Sequence, residues 1–132
     1  MIPTATRVVE APPAGAERQP ALPRMVQSLR QLAELAVATV YPGHGAPFTD
    51  HRTVIDGQIA RIHARKEECW QALQTGASTV TESFQKLYGS RMAAVGLAGL
   101  WMTVGYLDLL EAEGRVSREV VDGVWRYQTM EV

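Results

Sequence analysis

The sequence predicts a mostly α fold of the α+β type: helices dominate, and a β-hairpin closes the chain. Three observations predict it. Four stretches repeat apolar residues at helical spacing, around 24–36, 51–74, 79–88 and 91–113. Asp122-Gly123, the dipeptide favoured in a two-residue type I′ turn, separates two β-rich runs, 115–121 and 124–129. Between the first two helical stretches, Val37–Tyr41 reads as a short buried strand closed by Pro42.

Residues 1–23 hold Pro3, Pro12, Pro13, Pro20 and Pro23, which forbid a long helix and predict an irregular Pro/Ala-rich arm. Thr4–Val9 is expected to make at most a short edge strand there. Pro23 stands where a helix can begin. Met25, Leu29, Leu32 and Ala36 then recur on one face, and the chain runs directly into the Val37–Tyr41 strand. The next helix, 51–74, is capped by Thr49 or Asp50 and ends at Gly76. Its stripe of Ile55, Ile59, Ile62, Cys69 and Leu73 has one exception, Lys66. Thr79 followed by Glu82 is a capping box for a short helix to Tyr88, with Val80, Phe84 and Leu87 on one side.

Met92–Leu107 carries no charge but is shorter than the ~18–20 apolar residues a spanning helix needs. Gly96, Gly99 and Gly105 dilute it, so the expectation is a helix buried by protein rather than lipid. Each of those glycines costs about 1 kcal/mol against alanine, which points to close approach by another backbone. Three helices followed by a hairpin are the pattern of a winged-helix-like unit. The domain reading is an arm (1–23), an αβ segment (24–48) and a helical winged-helix-like domain (49–132).

Composition narrows the function classes. With 132 residues and 46% hydrophobic content, the chain can bury one modest core. A net charge of −1 and a pI near 6.3 offer no bulk attraction to nucleic acid or an acidic membrane. One cysteine, Cys69, excludes an intrachain disulfide framework and reads as a buried structural thiol. The N-terminal residues lack the basic-then-apolar pattern of a signal peptide, so a cytoplasmic location is expected.

The chemistry-bearing motif is Tyr41-Pro42-Gly43-His44-Gly45-Ala46-Pro47. Glycine on both sides of His44 lets the backbone turn sharply and aim the imidazole beyond the strand end. A neutral imidazole there is a good ligand for a divalent metal such as zinc. The bland alternative is a turn whose glycines serve geometry and whose histidine is solvated or bonded to backbone.

Taken with the element order, this motif resembles the last metal-ligand loop of the metallo-β-lactamase-fold hydrolases. The resemblance covers about residues 25–128. It rests on the Gly-His-Gly loop with Pro47, and on Ser28-Leu29, Ile62-His63, Ala72-Leu73 and Gly114-Arg115-Val116. It implies that 24–48 is the αβ remnant of an αββα sandwich. It also implies that His44 is a ligand of the second of two divalent metals, zinc in the usual case, in a full-length parent. Relatives with such sites hydrolyse thioesters, lactones, β-lactams and phosphodiesters.

The family's His-x-His-x-Asp-His cluster has no counterpart here, and no aspartate precedes Asp50. The other histidines, His51 and His63, lie on one helix and are turned about 120° apart, so they cannot share a metal. A catalytic zinc usually takes three protein ligands. The expectation is therefore a C-terminal part of such a hydrolase, or a relative that has lost its catalytic half. It carries no catalytic residue of its own, binds no metal tightly alone and is inactive alone. Substrate contacts are unknown. The expected partner is the missing N-terminal catalytic half or a second subunit. His63 and Glu67, four apart, are expected to form a surface ion pair, and His51 to take a neutral capping or solvent role.

A non-enzymatic winged-helix module binding DNA or protein is the alternative. Arg115, Arg118 and Arg126 would serve its hairpin. Against DNA stand Asp108, Glu111, Glu113, Glu119 and Asp122, which offset that charge.

Overall fold

The computed structural model describes residues 19–76 and 78–130. Helix α1 spans Ala21–Glu34, α2 His51–Gln74, α3 Val80–Tyr88 and α4 Met92–Ala112, and a single 3₁₀ turn, Gly89–Arg91, joins the last two. Strands β1 (Val116–Val121) and β2 (Val124–Thr129) form one antiparallel hairpin with Val121 opposite Val124. The α+β class and the element order are as expected. The Thr4–Val9 expectation lies outside the described residues.

Local chemistry decides most of the boundaries. Asp50 caps α2: its Oδ1 accepts from the Thr53 amide and its Oδ2 from the Thr53 hydroxyl. Thr79 and Glu82 form the reciprocal capping box of α3. Asp122 and Gly123 both take positive φ, 53° and 77°, as a type I′ turn requires.

Helix α4 is the axis of the core. Its residues from Met102 to Leu110 are all buried, against α1, α2, α3 and β1. Leu107 and Leu110 meet Leu22 and Val26 of α1, Ile62, Cys69 and Leu73 of α2, and Val116 and Tyr127 of the hairpin. By length and composition, Val80–Ala112 is apolar enough to cross a membrane. Its second half is instead buried inside this protein, as the dispersed glycines suggest. Those glycines have separate reasons. Gly96 takes φ 55° and kinks the helix. Gly105 lies against α1, where an added Cβ would sit 2.9 Å from Leu22 Cδ2 and 3.0 Å from Leu22 Cβ.

Two expectations are corrected. Helix α1 starts at Ala21, two residues ahead of Pro23, which sits in the first turn where its missing N–H leaves no bond unmade. Its inward face is Leu22 and Val26; Met25 and Leu29 lie at the margin, Leu32 is exposed, and the helix ends before Ala36. The Val37–Tyr41 strand exists only as one antiparallel bridge, Val40 to Phe48, and Tyr41 is 79% exposed. A strand is stabilised by neighbours on its edges. Among the described residues, only Phe48 lies opposite this segment.

Candidate functional site

The His44 loop is a closed arch. The Val40 amide donates to the Phe48 carbonyl at 2.8 Å, and the Phe48 amide returns to Val40 at 3.0 Å. The arch between them is Tyr41–Pro47, with Gly45 at φ 99°, a conformation that β-carbon-bearing residues rarely adopt. His44 is exposed near its tip. The glycine pattern therefore does what it implied: it turns the chain and leaves the imidazole free to meet something outside.

Below the arch, α1, residues 37–48 and the start of α2 enclose an apolar groove of about 180 Å³. Leu29, Leu32, Val37, Val40, Phe48, Val54 and Ile55 line it, with His51 and Gln58 as its polar members. Leu32, Leu35, Val37 and Tyr41 remain exposed around it, an apolar rim on the same side as His44.

The other two histidines do not join His44. His51 is buried, and its Nε2 lies 3.1 Å from the Leu32 carbonyl, which can only accept, so that nitrogen carries the proton. The expected capping role is real, but the helix it caps is α1. His63 sits in a charged cluster. Lys66 Nζ, which can only donate, is 3.0 Å from its Nδ1, so Nδ1 accepts and Nε2 bears the hydrogen. Arg30 Nη2 then faces Nε2 at 3.4 Å as donor against donor.

The expected His63–Glu67 pair is replaced. Glu67 takes both arms of the Arg115 guanidinium, one at 2.9 Å, because the planar fork matches a carboxylate. Arg115 also stacks on Trp70, 4.6 Å from the ring centre. That pairing holds the Glu67 carboxyl below its ordinary range.

Partial burial, then the positive charges of Lys66 and Arg30, push the His63 pKa below its ordinary value. The sign follows from linkage. Above about pH 6.5 the imidazole is neutral in both folded and unfolded chains, and the full stability is present. As pH falls further, the unfolded chain takes up the proton first. Stability is then lost until the pH passes the lower folded value. The urea midpoint is expected to fall between about pH 7.5 and 5.5, and His63→Gln to flatten that slope. An unchanged slope in the variant would show that other groups set it.

Lys66 and Glu113, 2.6 Å apart, complete this cluster. Cys69 lies in the core, where burial lifts its thiol pKa to about 12 and leaves it inert, as expected of a structural thiol. Among the described residues, no three His, Cys, Asp or Glu side chains converge as a metal site. His44 can supply one ligand. The residues present do not make a metal centre by themselves.

No protein-family model matches the sequence. The chain is 30% identical over 123 residues to a probable metallo-hydrolase, YqjP, of Bacillus subtilis (strain 168). That alignment spans 93% of this chain and 37% of the relative. The fold superposes on a β-lactamase domain protein from Burkholderia ambifaria with a TM-score of 0.70 and 26% identity, over 85% of this chain and 34% of that one. The chain matches part of the metallo-β-lactamase family. A second family member, TTHA1429 from Thermus thermophilus, superposes with a TM-score of 0.69 and 26% identity, over 86% of this chain and 35% of its own. This chain spans about a third of the length of each of these metallo-β-lactamase-family relatives.

The missed features of the site are the tie from His51 to α1 and the apolar groove. Both depend on how α1 lies across α2, which no local spacing encodes.

Proposed function

We propose that this chain is the C-terminal part of a metal-dependent hydrolase of the metallo-β-lactamase fold, acting on an ester, thioester or phosphodiester. It contributes one metal ligand, His44, to a two-zinc site whose other ligands come from a partner polypeptide. The observation that carries this reading is the closed Val40–Phe48 arch, which presents an exposed His44 beside an apolar rim. The metallo-hydrolase relative, about three times as long, supports it. An imidazole held on an arch can join a metal with little loss of loop entropy. The rim gives the partner an apolar face to bury.

The winged-helix alternative finds less support in the charged groups. Arg115 is held by Glu67, Arg118 lies by Glu111 and over Trp125, and Arg126 donates to Ser78. The most apolar helix, α4, is the core rather than a groove reader.

Two measurements test the proposal. Alone and supplied with zinc, the chain is expected to bind less than one metal tightly and to cleave neither a model thioester nor a model phosphodiester. Co-expressed with a segment carrying the paired-histidine cluster, it is expected to form an active complex. In that complex His44→Ala lowers turnover by at least roughly 100-fold, as loss of a ligand should. Turnover by the isolated chain, or a fully active His44→Ala complex, refutes it.

A further inference from the structure

The start of α2 is wired to the end of α1 by two consecutive side chains. His51 Nε2–H donates to the Leu32 carbonyl at 3.1 Å, and Arg52 Nε donates to the Ala33 carbonyl at 2.8 Å. These carbonyls lie in the last turn of α1, where no intrahelical amide remains for them, apart from the Leu35 amide that reaches Leu32 at 3.2 Å. Helix α1 has no glycine cap; its C-cap, Leu35, is extended. The caps come from across the loop instead.

Asp50 explains why two successive residues can do this. It is one of two described non-glycine residues at positive φ, 55°, a conformation that costs on the order of 1 kcal/mol or more. Its carboxylate fixes the first turn of α2 through Thr53. That left-handed step is followed at once by the two residues that reach the end of α1. Strain held in place at the foot of a loop is a reason to look for a role at its tip.

We infer that His51 and Arg52 are positioning residues for His44. They clamp the two ends of the segment that carries the arch, and the Val40–Phe48 bridge closes it a second time further up. The arch thus has two rungs: side chain to backbone at its foot, backbone to backbone at its neck. His51 also lines the apolar groove with Val40 and Phe48, so both rungs border one cavity. Loss of the lower rung frees the foot, and the upper rung is then the only one holding the tip. The inference rests on the proposed role of His44 only for its functional meaning; the mechanical link is a property of this chain.

Amide hydrogen exchange of the intact chain tests it. His51→Ala and Arg52→Ala are each expected to speed exchange at the Val40 and Phe48 amides by about tenfold, the effect of one lost hydrogen bond. The Leu107 and Leu110 amides in the core of α4 should keep their wild-type rates. His51→Gln, whose amide nitrogen can stand where Nε2 stands, should restore slow exchange at the arch; His51→Ala should not. Uniform acceleration at all four amides, or no change at Val40 and Phe48, overturns the inference. So does a glutamine variant as fast as the alanine one. If His51→Ala does not fold, the Arg52→Ala and His51→Gln arms decide the matter. Failure here leaves the His44 assignment standing. A fully active His44→Ala complex removes that assignment without touching the clamp.

Discussion

Leu22→Ala is expected to destabilise the chain by about 3 kcal/mol, the middle of the range for a buried leucine truncated in a packed core. Leu22 is fully buried, and its side chain lies on the bare backbone of Gly105. Truncation leaves a void between two helices. A helix the length of α1 is marginal alone, so its structure depends on that packing. The control is Leu97→Ala, at a side chain 72% exposed, which should stay within about 0.5 kcal/mol of wild type. Gly105→Ala probes the same contact from the other side. Helix propensity favours it by about 1 kcal/mol. Its Cβ would collide with Leu22 Cβ, which cannot rotate away, so a net loss of about 1–2 kcal/mol is expected. Combining the two substitutions should cost about 1 kcal/mol less than their sum, because the alanine methyl then occupies space that Leu22 vacated. Urea unfolding of the four proteins measures all of this. A cost below about 1 kcal/mol for Leu22→Ala would mean α1 is not docked on α4 as described.

The same contact explains which parts of the fold were legible. Helices α2 and α3 and the hairpin are decided by neighbours in sequence: Asp50 with Thr53, Thr79 with Glu82, Asp122 with Gly123. Such signals survive any tertiary arrangement, so the sequence expectations meet the structure there almost residue for residue. The start and inward face of α1 are decided by Gly105, far away in the chain. Leu22, just ahead of the proline taken as a start signal, is the residue that docks. Gly105 was marked as a place of close approach, but nothing in the spacing says which element approaches. Val37–Tyr41 fails for a related reason. A β-branched, aromatic run is a statement about a pleated surface, and its partners lie outside the run. At the site, the Gly-His-Gly pattern was readable because backbone turning is local. The clamp of His51 and Arg52 was not, because each donor and its carbonyl are nineteen residues apart.

Lys66 was the one residue that broke the apolar stripe of α2, and it gives the second large effect. Its side chain is only 7% exposed, with Glu113 at 2.6 Å and Glu67 at 3.8 Å. Glu113→Gln leaves that ammonium buried beside Arg30 and His63 with only the more distant Glu67 as counter-charge. The expected cost is about 2 kcal/mol, below the 3–5 of a fully buried pair because Glu113 is itself 34% exposed. Lys66→Met removes the buried charge and keeps most of the stem's apolar contact. It is expected to fall within about 1 kcal/mol of wild type, in either direction. The asymmetry is the point, since the pair adds little net stability yet neither charge tolerates being left alone. A second readout separates charge from packing. Lys66 is among the positive charges that press on His63, so Lys66→Met should raise the imidazole titration midpoint toward its ordinary value, followed by NMR. A methionine variant as unstable as Glu113→Gln, with the midpoint of His63 unmoved, would show that Lys66 serves the fold through its stem alone.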